Sequence, residues 1–377
     1  MTLEAIPQPA RSAGPALDAE ALLSNPELVW MGQNTTHLDP PPEVVAALLD
    51  STRRNEFQFY APMLGFRELR ELIIDDLGVP DASVMVTDGA VGGLHHICTA
   101  LVRSVSRLLV TDPGWPWPAR FVHFAGVPVT TIPVYSPEHG YKLTAQQLKS
   151  AILPHSLLYL VDPLNPLGSM YDRDELQEIV DVLRANDSLI IHDCTYRHFA
   201  TGHTLVAELY PEGTLTTYSF SKWLGIAGLR LGAIVAAPEL LAPLSEVPSN
   251  PLGASIQAQR AGIAGLRVKD TWLPRLRAVN DANQRSIVDA VHASGLGDLV
   301  VVPSQGNFLA IDVSRNRWGS AALCARLLEE NIFIRSGSYQ SPAFGERFVK
   351  VSTSVPPAWA DRFVDAWRRV ATETPQP

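Results

Sequence analysis

The sequence contains one lysine in a strongly apolar setting, and its surroundings point to amine chemistry. Lys222 lies among Phe220, Trp223 and Leu224, between a β-rich run and a second apolar run. Burial among such side chains removes water from the ammonium form, so it lowers the pKa of the lysine and makes its amine nucleophilic. An amine of this kind can form a Schiff base with an aldehyde or a ketone.

The residues around Lys222 indicate phosphate binding as well. Ser219 and Ser221 offer hydroxyl donors, and Gly228 lets the backbone approach a ligand closely. Arg230 carries a planar set of N–H donors that suits a phosphate. A Schiff-base lysine beside a phosphate site suggests a phosphorylated aldehyde cofactor, which is pyridoxal 5'-phosphate (PLP).

The segment from Ser219 to Gly232 resembles the active-site lysine segment of the fold-type I PLP enzymes of aminotransferase class I/II. The family pattern is Ser-x-[Ser/Ala]-Lys, then Gly, then Gly-x-Arg-x-Gly, and it is matched in register by Ser219, Lys222, Gly228, Arg230 and Gly232. The resemblance extends over residues 25–370. An isolated Ser-x-Ser-Lys would more often be a polar loop with a solvated lysine, so the longer pattern carries the assignment.

Strand and helix signals support the same fold class. They alternate between residues 83 and 236, which predicts an α/β protein with a mostly parallel central sheet covered by helices. Short strands and helices alternate again from residue 298, which predicts a smaller α/β domain. We expect an N-terminal arm (1–40) that contributes to the small domain and the mouth of the site, a large PLP-binding domain (41–270) and a small C-terminal domain (271–377). Residues 1–16 are rich in Pro, Ala and Ser and are expected to be flexible.

Two upstream segments are expected to bind the cofactor phosphate. Gly89, Ala90 and Val91 follow a strand and begin a helix, where successive backbone N–H groups bind phosphate. Tyr60 resembles the family's tyrosine that reaches the phosphate of the neighbouring subunit, which implies a homodimer with a shared active site. The alternative for Tyr60 is an ordinary packed aromatic residue.

Four more residues have counterparts among the family's cofactor contacts. Trp115, in a Pro-rich segment after a strand, would stack on the pyridine ring, with a structural Trp-Pro turn as the alternative. Asn165 and Tyr196 would bond the ring oxygen. Asp193, at the end of a buried strand, would pair with the ring nitrogen and keep the ring an electron sink. A metal site that uses this carboxylate and nearby histidines is disfavoured, because no further ligands converge in the sequence.

The residues expected near the substrate depart more from the family. Asn34, for which a polar turn is the alternative, and Asn307 match its substrate segments. Lys350 stands where the family has an arginine that grips the substrate α-carboxylate. Lysine keeps the charge but loses the planar N–H geometry, so the change is not conservative. Leu164 and Leu167 also replace the usual residues beside Asn165.

These residues imply an aminotransferase that moves an amino group between an amino acid, or an amino-bearing metabolite, and a 2-oxo acid through the Lys222 Schiff base. A lyase, decarboxylase or oxidase of the same fold is the alternative, because Lys350 weakens the carboxylate site. A third hypothesis is a PLP-binding regulatory module. The complete set of Lys222, Asp193 and Arg230 argues against it.

Composition limits the remaining classes. The chain has 377 residues, 46% of them hydrophobic, and a net charge of −9 without a basic block, so nucleic acid is not an expected partner. No apolar run is long enough for a membrane helix, and the start of the chain lacks the pattern of a secretory signal. Three scattered cysteines exclude a disulfide framework. We therefore expect a cytoplasmic enzyme that acts on small molecules.

Overall fold

The computed structural model describes residues 19–316 and 318–373. The flexible arm predicted for residues 1–16 lies outside the described residues. No helix among the described residues combines the length and the apolar character that crossing a membrane would require.

The strands of the described chain alternate with helices along most of the sequence. The strands are β1 (Val29–Trp30), β2 (Ser83–Asp88), β3 (Arg107–Asp112), β4 (Val129–Pro133), β5 (Ser156–Val161), β6 (Leu189–Asp193), β7 (Thr214–Ser219), β8 (Leu231–Ala236), β9 (Asp298–Leu299), β10 (Phe308–Asp312), β11 (Ile332–Phe333), β12 (Arg335–Ser336) and β13 (Phe348–Ser352).

The helices cover the sheets. They are α1 (Ala19–Leu23), α2 (Pro42–Arg53), α3 (Arg67–Leu77), α4 (Gly89–Leu101), α5 (Trp117–His123), α6 (Ala145–Ala151), α7 (Arg173–Arg184), α8 (Val206–Leu209), α9 (Pro238–Glu246), α10 (Ile256–Arg267), α11 (Lys269–Ser294), α12 (Gly319–Glu329) and α13 (Pro357–Thr372).

Local sequence signals explain where several helices begin. Thr144 and Asp172 each form a reciprocal capping box. The side chains of Thr144 and Asp172 accept from the N–H groups of Gln147 and Glu175, and the side chains of Gln147 and Glu175 accept from the N–H groups of Thr144 and Asp172. These pairs satisfy backbone donors that the first helical turn would otherwise leave unpaired. Pro42, Pro238 and Pro357 begin α2, α9 and α13, where a missing backbone N–H costs nothing.

Seven strands form the large sheet in the order β2–β8–β7–β6–β5–β3–β4. Strands β7, β6, β5, β3 and β4 run parallel, and β8 runs antiparallel to both β2 and β7. The prediction of a mostly parallel sheet is therefore confirmed. Strands β5 and β7 are buried along their whole length, as expected where helices cover both faces of a parallel sheet.

The register of the central strands brings three chain segments together. Val161 pairs with Asp193 at the ends of β5 and β6, and Asp193 pairs with Thr217 in β7. Ser219 ends β7 just beyond this pair. Since parallel strands place their carboxyl ends at one edge, residues far apart in sequence meet there.

The smaller sheet is antiparallel, in the order β12–β13–β10–β9. Beside it, β1 pairs in parallel with β11, and the N–H of Ser352 donates to the carbonyl oxygen of Met31 (2.7 Å). These contacts attach the N-terminal segment to the C-terminal part of the chain. They also direct residues 32–35 towards the edge of the large sheet.

Two strands differ from the prediction. The apolar run Leu299–Val302 predicts a strand, but the strand ends at Leu299, although the N–H of Val300 still donates to the carbonyl oxygen of Ala310 (3.0 Å). Pro303 follows this run and has no N–H to donate to a neighbouring strand. The run Ile332–Ile334 is also shorter, because Phe333 pairs with β1 whereas Arg335 pairs with β13. The chain changes sheets at Ile334.

Candidate active site

A cavity of about 270 Å³ lies at the carboxyl edge of the central strands and contains most of the predicted site residues. Those that line it are Asn34, Ala90, Val91, Trp115, Asn165, Asp193, Tyr196, Ser219, Lys222, Arg230 and Lys350. They come from the N-terminal segment, the large sheet and the small sheet. The fold therefore assembles in one place what the sequence spreads over more than 300 positions.

Lys222 lies just after β7, with its side chain in the cavity wall. Its Nζ donates a hydrogen bond to the carbonyl oxygen of Gln33 (3.0 Å). Burial and, to a smaller extent, the positive charge of Arg230 lower the pKa of Lys222 to about 8, against an opposite effect of Asp193. The predicted low-pKa lysine is therefore present in the structure, and an appreciable share of its amine is unprotonated near neutral pH.

The N-terminus of α4 forms one end of the cavity. No described side chain caps this helix, so its first backbone N–H groups remain available for a ligand. Ala90 and Val91 line the cavity there, as do Ser219 and Arg230. Gly89 does not line it; a Cβ at Gly89 would lie 2.3 Å from Nη2 of Arg230. The guanidinium thus packs directly against the glycine, and the end as a whole is suited to an anion with several oxygens.

Asp193 lies at the end of β6 and is 4% exposed. Its Oδ2 accepts from the hydroxyl of Tyr159 (2.7 Å). Its Oδ1 accepts from the N–H (3.1 Å) and the hydroxyl (2.7 Å) of Thr195. Sequence reasoning missed both partners. A tyrosine inside the apolar strand β5 was the available signal, since a buried phenol needs a hydrogen-bond partner.

Tyr196, Asn34 and Asn165 form a hydrogen-bonded group beside Asp193. The amide nitrogen of Asn34 donates to the hydroxyl of Tyr196 (3.0 Å) and to Oδ1 of Asn165 (3.3 Å). Burial raises the pKa of Tyr196, so its hydroxyl keeps its proton. Asn34 itself adopts a left-handed backbone conformation (φ 56°), which asparagine tolerates better than most residues.

Lys350 enters the same group from β13. Its Nζ donates to Oδ1 of Asn165 (3.2 Å), which also accepts from Nε2 of Gln340 (2.6 Å). Lys350 is 4% exposed, and it forms no ion pair with a carboxylate of the described chain. Burial lowers its pKa well below the ordinary value, and the charges of Arg335 and Lys222 add to the effect.

Arg335 and Tyr339 are cavity residues that sequence reasoning missed. The guanidinium of Arg335 lies over the ring of Tyr339 at 4.5 Å, and that ring lies 5.9 Å from the ring of Trp115. Arg335 follows the predicted strand 332–334 directly. A charged residue at the end of an apolar strand was the signal that could have found it.

Besides Gly89, two predicted residues do not line the cavity of their own chain. Asn307 is fully buried and donates to the carbonyl oxygen of Asn34 (2.9 Å) and the hydroxyl of Ser354 (2.7 Å). The expected direct substrate contact of Asn307 is therefore corrected: it supports the backbone of Asn34. Tyr60 is 77% exposed on the surface and is absent from the cavity of its own subunit.

Behind Asp193 lies a buried group of side chains whose atoms could also suit a metal ion: His192, Cys194 and His203. Hydrogen bonds already use these imidazoles. Nδ1 of His192 accepts from a backbone N–H (3.3 Å), and Nε2 of His203 lies 3.1 Å from the carbonyl oxygen of Asp162. Burial would raise the pKa of Asp162, but the imidazoles of His192 (3.7 Å) and His203 (3.3 Å) beside its carboxylate hold it below its usual value. These side chains thus belong to a buried polar group around the Asp162 carboxylate.

The cavity fits PLP in both charge and arrangement. The uncapped N-terminus of α4 with Arg230 offers donors for a phosphate, and Lys222 offers an amine of lowered pKa. Asp193 is the one carboxylate among the described residues that line the cavity, and Trp115 provides an aromatic wall. These are the groups that a phosphate, an aldehyde and a pyridine ring would require.

Comparison with known proteins agrees with this chemistry. The family model for aminotransferase class I and II matches residues 26–366. The chain is 27% identical to histidinol-phosphate aminotransferase 1 of Mesorhizobium japonicum, over 89% of this chain and 88% of the relative. It is 22% identical to an aspartate aminotransferase of Pyrococcus horikoshii, over 82% of each chain.

Solved structures show the same fold. An aminotransferase from Mycobacterium tuberculosis superposes with a TM-score of 0.83 at 24% identity, covering 94% of this chain and 93% of that one. A double mutant of Thermus thermophilus aspartate aminotransferase superposes with a TM-score of 0.81 at 22% identity, covering 91% of each chain. The chain therefore belongs to the aminotransferase class I and II family, whose members are PLP-dependent enzymes that transfer amino groups.

Proposed function

We propose that the protein is an aminotransferase in which Lys222 reacts with the cofactor aldehyde and an amino group passes between an amino acid, or an amino-bearing metabolite, and a 2-oxo acid. The observation that carries this proposal is the lowered pKa of Lys222 in a cavity that also contains Asp193 and a free helix N-terminus. When bound, the cofactor withdraws electrons from the substrate α-carbon through its ring.

Lys222 and Asp193 divide the chemical work. With cofactor and substrate bound, the free Nζ of Lys222 would take the proton from the substrate α-carbon and later return it. A pKa of about 8 suits this double role, because a general base works best when its pKa lies near the operating pH. Asp193, fixed by Tyr159 and Thr195, would hold the proton of the ring nitrogen.

The other cofactor residues orient the ring and the phosphate. Tyr196 and Asn165, which share Asn34 as a hydrogen-bond partner, would donate to the ring oxygen, and Trp115 would stack on the ring. The phosphate would be held by Ala90, Val91, Ser219 and Arg230, and Gly89 would leave room for the guanidinium of Arg230 beside them. Helix N-termini bind phosphate through backbone N–H groups and the helix dipole.

We further propose a homodimer in which Tyr60 reaches the phosphate of the neighbouring subunit. Phe57, Phe59, Tyr60 and Met63 are all more than 40% exposed, an unusual density of large apolar side chains within seven positions. Contact with a second copy would cover them. We expect Tyr60→Phe to weaken PLP binding, and charged substitution at Phe59 to shift the mass measured by light scattering towards a monomer.

The three-region division at residues 40 and 270 is part of the same proposal. Helix α11 begins at Lys269, and one hydrophobic cluster joins Val29 and Met31 to residues from Ile287 onwards. The N-terminal segment would thus move with the small domain. A cytoplasmic location stays a prediction from composition.

The substrate residues leave one alternative function. Lys350 replaces the family arginine, and its amine is bonded to Asn165 rather than left free for a ligand. A transaminase holds two acids in turn, so an altered carboxylate site favours a lyase, decarboxylase or oxidase of the same fold as the second candidate. Either enzyme would use the same cofactor and the same Lys222.

Absorbance spectra of the purified protein test the proposal. We expect a PLP band in the wild type that is lost in Lys222→Ala and kept in Lys149→Ala, whose lysine is exposed and distant in sequence. With a panel of amino acids under argon, one donor should yield a 2-oxo acid in an amount equal to the enzyme. No PLP band in the wild type would refute the proposal. Gas release, or oxygen uptake in air, would support the second candidate instead.

The same spectra test Asp193. Substitution Asp193→Asn removes the charge and keeps the shape. Breaking a buried charge pair costs about 3–5 kcal/mol, so we expect at least a 100-fold loss of the half-reaction rate with PLP still bound. Thr195→Ser is the matched control, because it keeps the hydroxyl that donates to Asp193. An unchanged rate in Asp193→Asn would contradict the role given to this carboxylate.

A further inference from the structure

The amide of Asn165 has a fixed orientation in this cavity. Three donors converge on its Oδ1: Gln340 (2.6 Å), Lys350 (3.2 Å) and Asn34 (3.3 Å). An amide oxygen has two lone pairs, so these donors saturate it. The amide nitrogen forms no hydrogen bond within the described chain and is therefore left for a ligand in the cavity.

Lys350 constrains the orientation of the Asn165 amide. The Nζ of Lys350 donates to Oδ1 of Asn165 (3.2 Å), and a turned amide would place its N–H donors against this amine in place of the acceptor. Lys350 also lies 5.6 Å from the centroid of the Phe308 ring, which leaves its amine enclosed by Phe308 and the amide. At 4% exposure, this side chain has little room to turn towards a substrate carboxylate.

Arg335 lies opposite Lys350 in the antiparallel pair β12–β13. Directly paired residues project from the same face of a sheet, and two like charges there repel each other unless an anion lies nearby. The Nε of Arg335 donates to the carbonyl oxygen of Gly32 (3.3 Å). Its two terminal nitrogens form no hydrogen bond or ion pair within the described chain, and the half-buried guanidinium lines the cavity.

We propose that Lys350 is a positioning residue, which turns the amide nitrogen of Asn165 towards the cofactor, and that Arg335 is the residue that binds the carboxylate of the substrate. The planar guanidinium of Arg335 provides the paired N–H groups that a carboxylate accepts, whereas Lys350 lacks them. This division rests on the proposed function. Where the family has an arginine, this chain has Lys350, and carboxylate binding passes to Arg335 on the neighbouring strand β12.

The carboxylate part is tested with propionate, which has a carboxylate and no amine. Titration of the PLP-loaded holoenzyme, followed by the cofactor absorbance, gives a dissociation constant. Since hydrogen bonds to charged groups contribute about 1.5–3 kcal/mol, we expect Arg335→Gln to weaken propionate at least 10-fold. Lys350→Met should change it less than about 3-fold, below the range expected for a lost charged hydrogen bond. The opposite ranking, or a wild-type spectrum that propionate leaves unchanged, overturns the assignment of Arg335.

The positioning part is tested by the pH titration of the bound cofactor. Lys350→Met frees the Asn165 amide to turn, so the pH midpoint of the cofactor absorbance should shift. Lys350→Gln, which keeps an N–H donor, should restore most of the wild-type midpoint. A midpoint that is the same in the wild type and in Lys350→Met overturns the positioning role, and circular dichroism confirms that each variant is folded.

The outcomes also separate this inference from the proposed function. A wild type that binds no PLP refutes both. A wild type that binds PLP and yields a 2-oxo acid, but whose propionate affinity depends on Lys350 and not on Arg335, refutes only the inference. A steady-state comparison adds a further check: Arg335→Gln should raise KM for the amino donor more than it lowers kcat.

Discussion

Reductive methylation of the apoenzyme should reveal Lys222 as an unusually reactive lysine. At pH 7, a pKa of about 8 leaves roughly 9% of the amine unprotonated, whereas the ordinary value of 10.5 leaves about 0.03%. Ionisation alone therefore favours Lys222 by roughly 300-fold. A less basic amine is also a weaker nucleophile. With the Brønsted coefficient of about 0.4–0.5 known for thiols, a difference of 2.5 pKa units takes back about 10- to 18-fold.

A net advantage of roughly 15- to 30-fold over an ordinary lysine remains. We would treat the PLP-free protein with limiting formaldehyde and cyanoborohydride, and compare the peptides of Lys222 and the exposed Lys149 by mass spectrometry. The extent of Lys222 methylation should follow a titration curve with a midpoint near pH 8. Substitution Arg230→Met removes a nearby positive charge and should move the midpoint upwards.

The result that refutes this reasoning is specific. A Lys222 that is modified no faster than Lys149 at pH 7, or a midpoint near 10.5, would mean that burial and Arg230 do not lower the pKa of the lysine. Asp193→Asn provides a control of opposite sign, because the carboxylate raises this pKa. Its removal should move the midpoint downwards.

Three further predictions concern the elements that hold the site. A Cβ at Gly232 would lie 2.3 Å from the backbone nitrogen of Ala90, so Gly232→Ala should reduce the binding free energy of PLP by about 1–3 kcal/mol, which weakens PLP binding roughly 5- to 150-fold. The control Gly228→Ala places its Cβ in open space and should leave the PLP dissociation constant unchanged. The buried carboxylate of Asp76 accepts hydrogen bonds from Arg197, His198, Tyr218 and Lys269, so Asp76→Ala should lower the free energy of unfolding, measured in urea, by about 3–5 kcal/mol. The control Asp361→Ala, at an exposed residue, should lower it by less than about 0.5 kcal/mol. Burial and the charge of Arg197 hold the pKa of His198 well below 6.5, so below pH 6.5 the unfolded chain binds a proton that the folded chain does not. The free energy of unfolding should therefore fall below pH 6.5 by up to about 1.4 kcal/mol per pH unit, and it should fall less steeply in His198→Gln.

The fold and the cofactor end of the cavity could be predicted from the sequence because each relevant group lies in one continuous segment. Ser219, Lys222 and Arg230 fall within 12 positions, and Asp193 and Tyr196 lie three positions apart. Spacing within such a segment is set by a single strand end and the turn that follows it. The alternation of strand and helix signals likewise reflects local patterns of burial.

The substrate end could not be predicted in the same way, because it depends on how separate segments pair. Arg335 faces the cavity through the β12–β13 register, and Asn34 reaches Tyr196 because β1 pairs with β11. Neither register is encoded by a local signal. Strand periodicity predicts that Arg347, an odd number of positions from Lys350, points to the opposite face. In the structure Arg347 bonds Asp312 (3.2 Å) and is absent from the cavity.

The charges of the cavity connect its two ends. Lys222, Arg230, Arg335 and Lys350 line it together with one carboxylate, Asp193, among the described residues, although the whole chain has a net charge of −9. Burial depresses the pKa of both lysines, and the neighbouring positive charges lower it further. Such a concentration of positive charge also costs folding free energy that bound anions would recover, because opposite charges relieve the repulsion. Arg230 and Arg335 keep their charge whatever the protonation of the two lysines, and a phosphate at Arg230 with a carboxylate at Arg335 would pair with them. The cavity is thus matched to a phosphorylated cofactor and a substrate with one carboxylate, bound at opposite ends of the same group of cations.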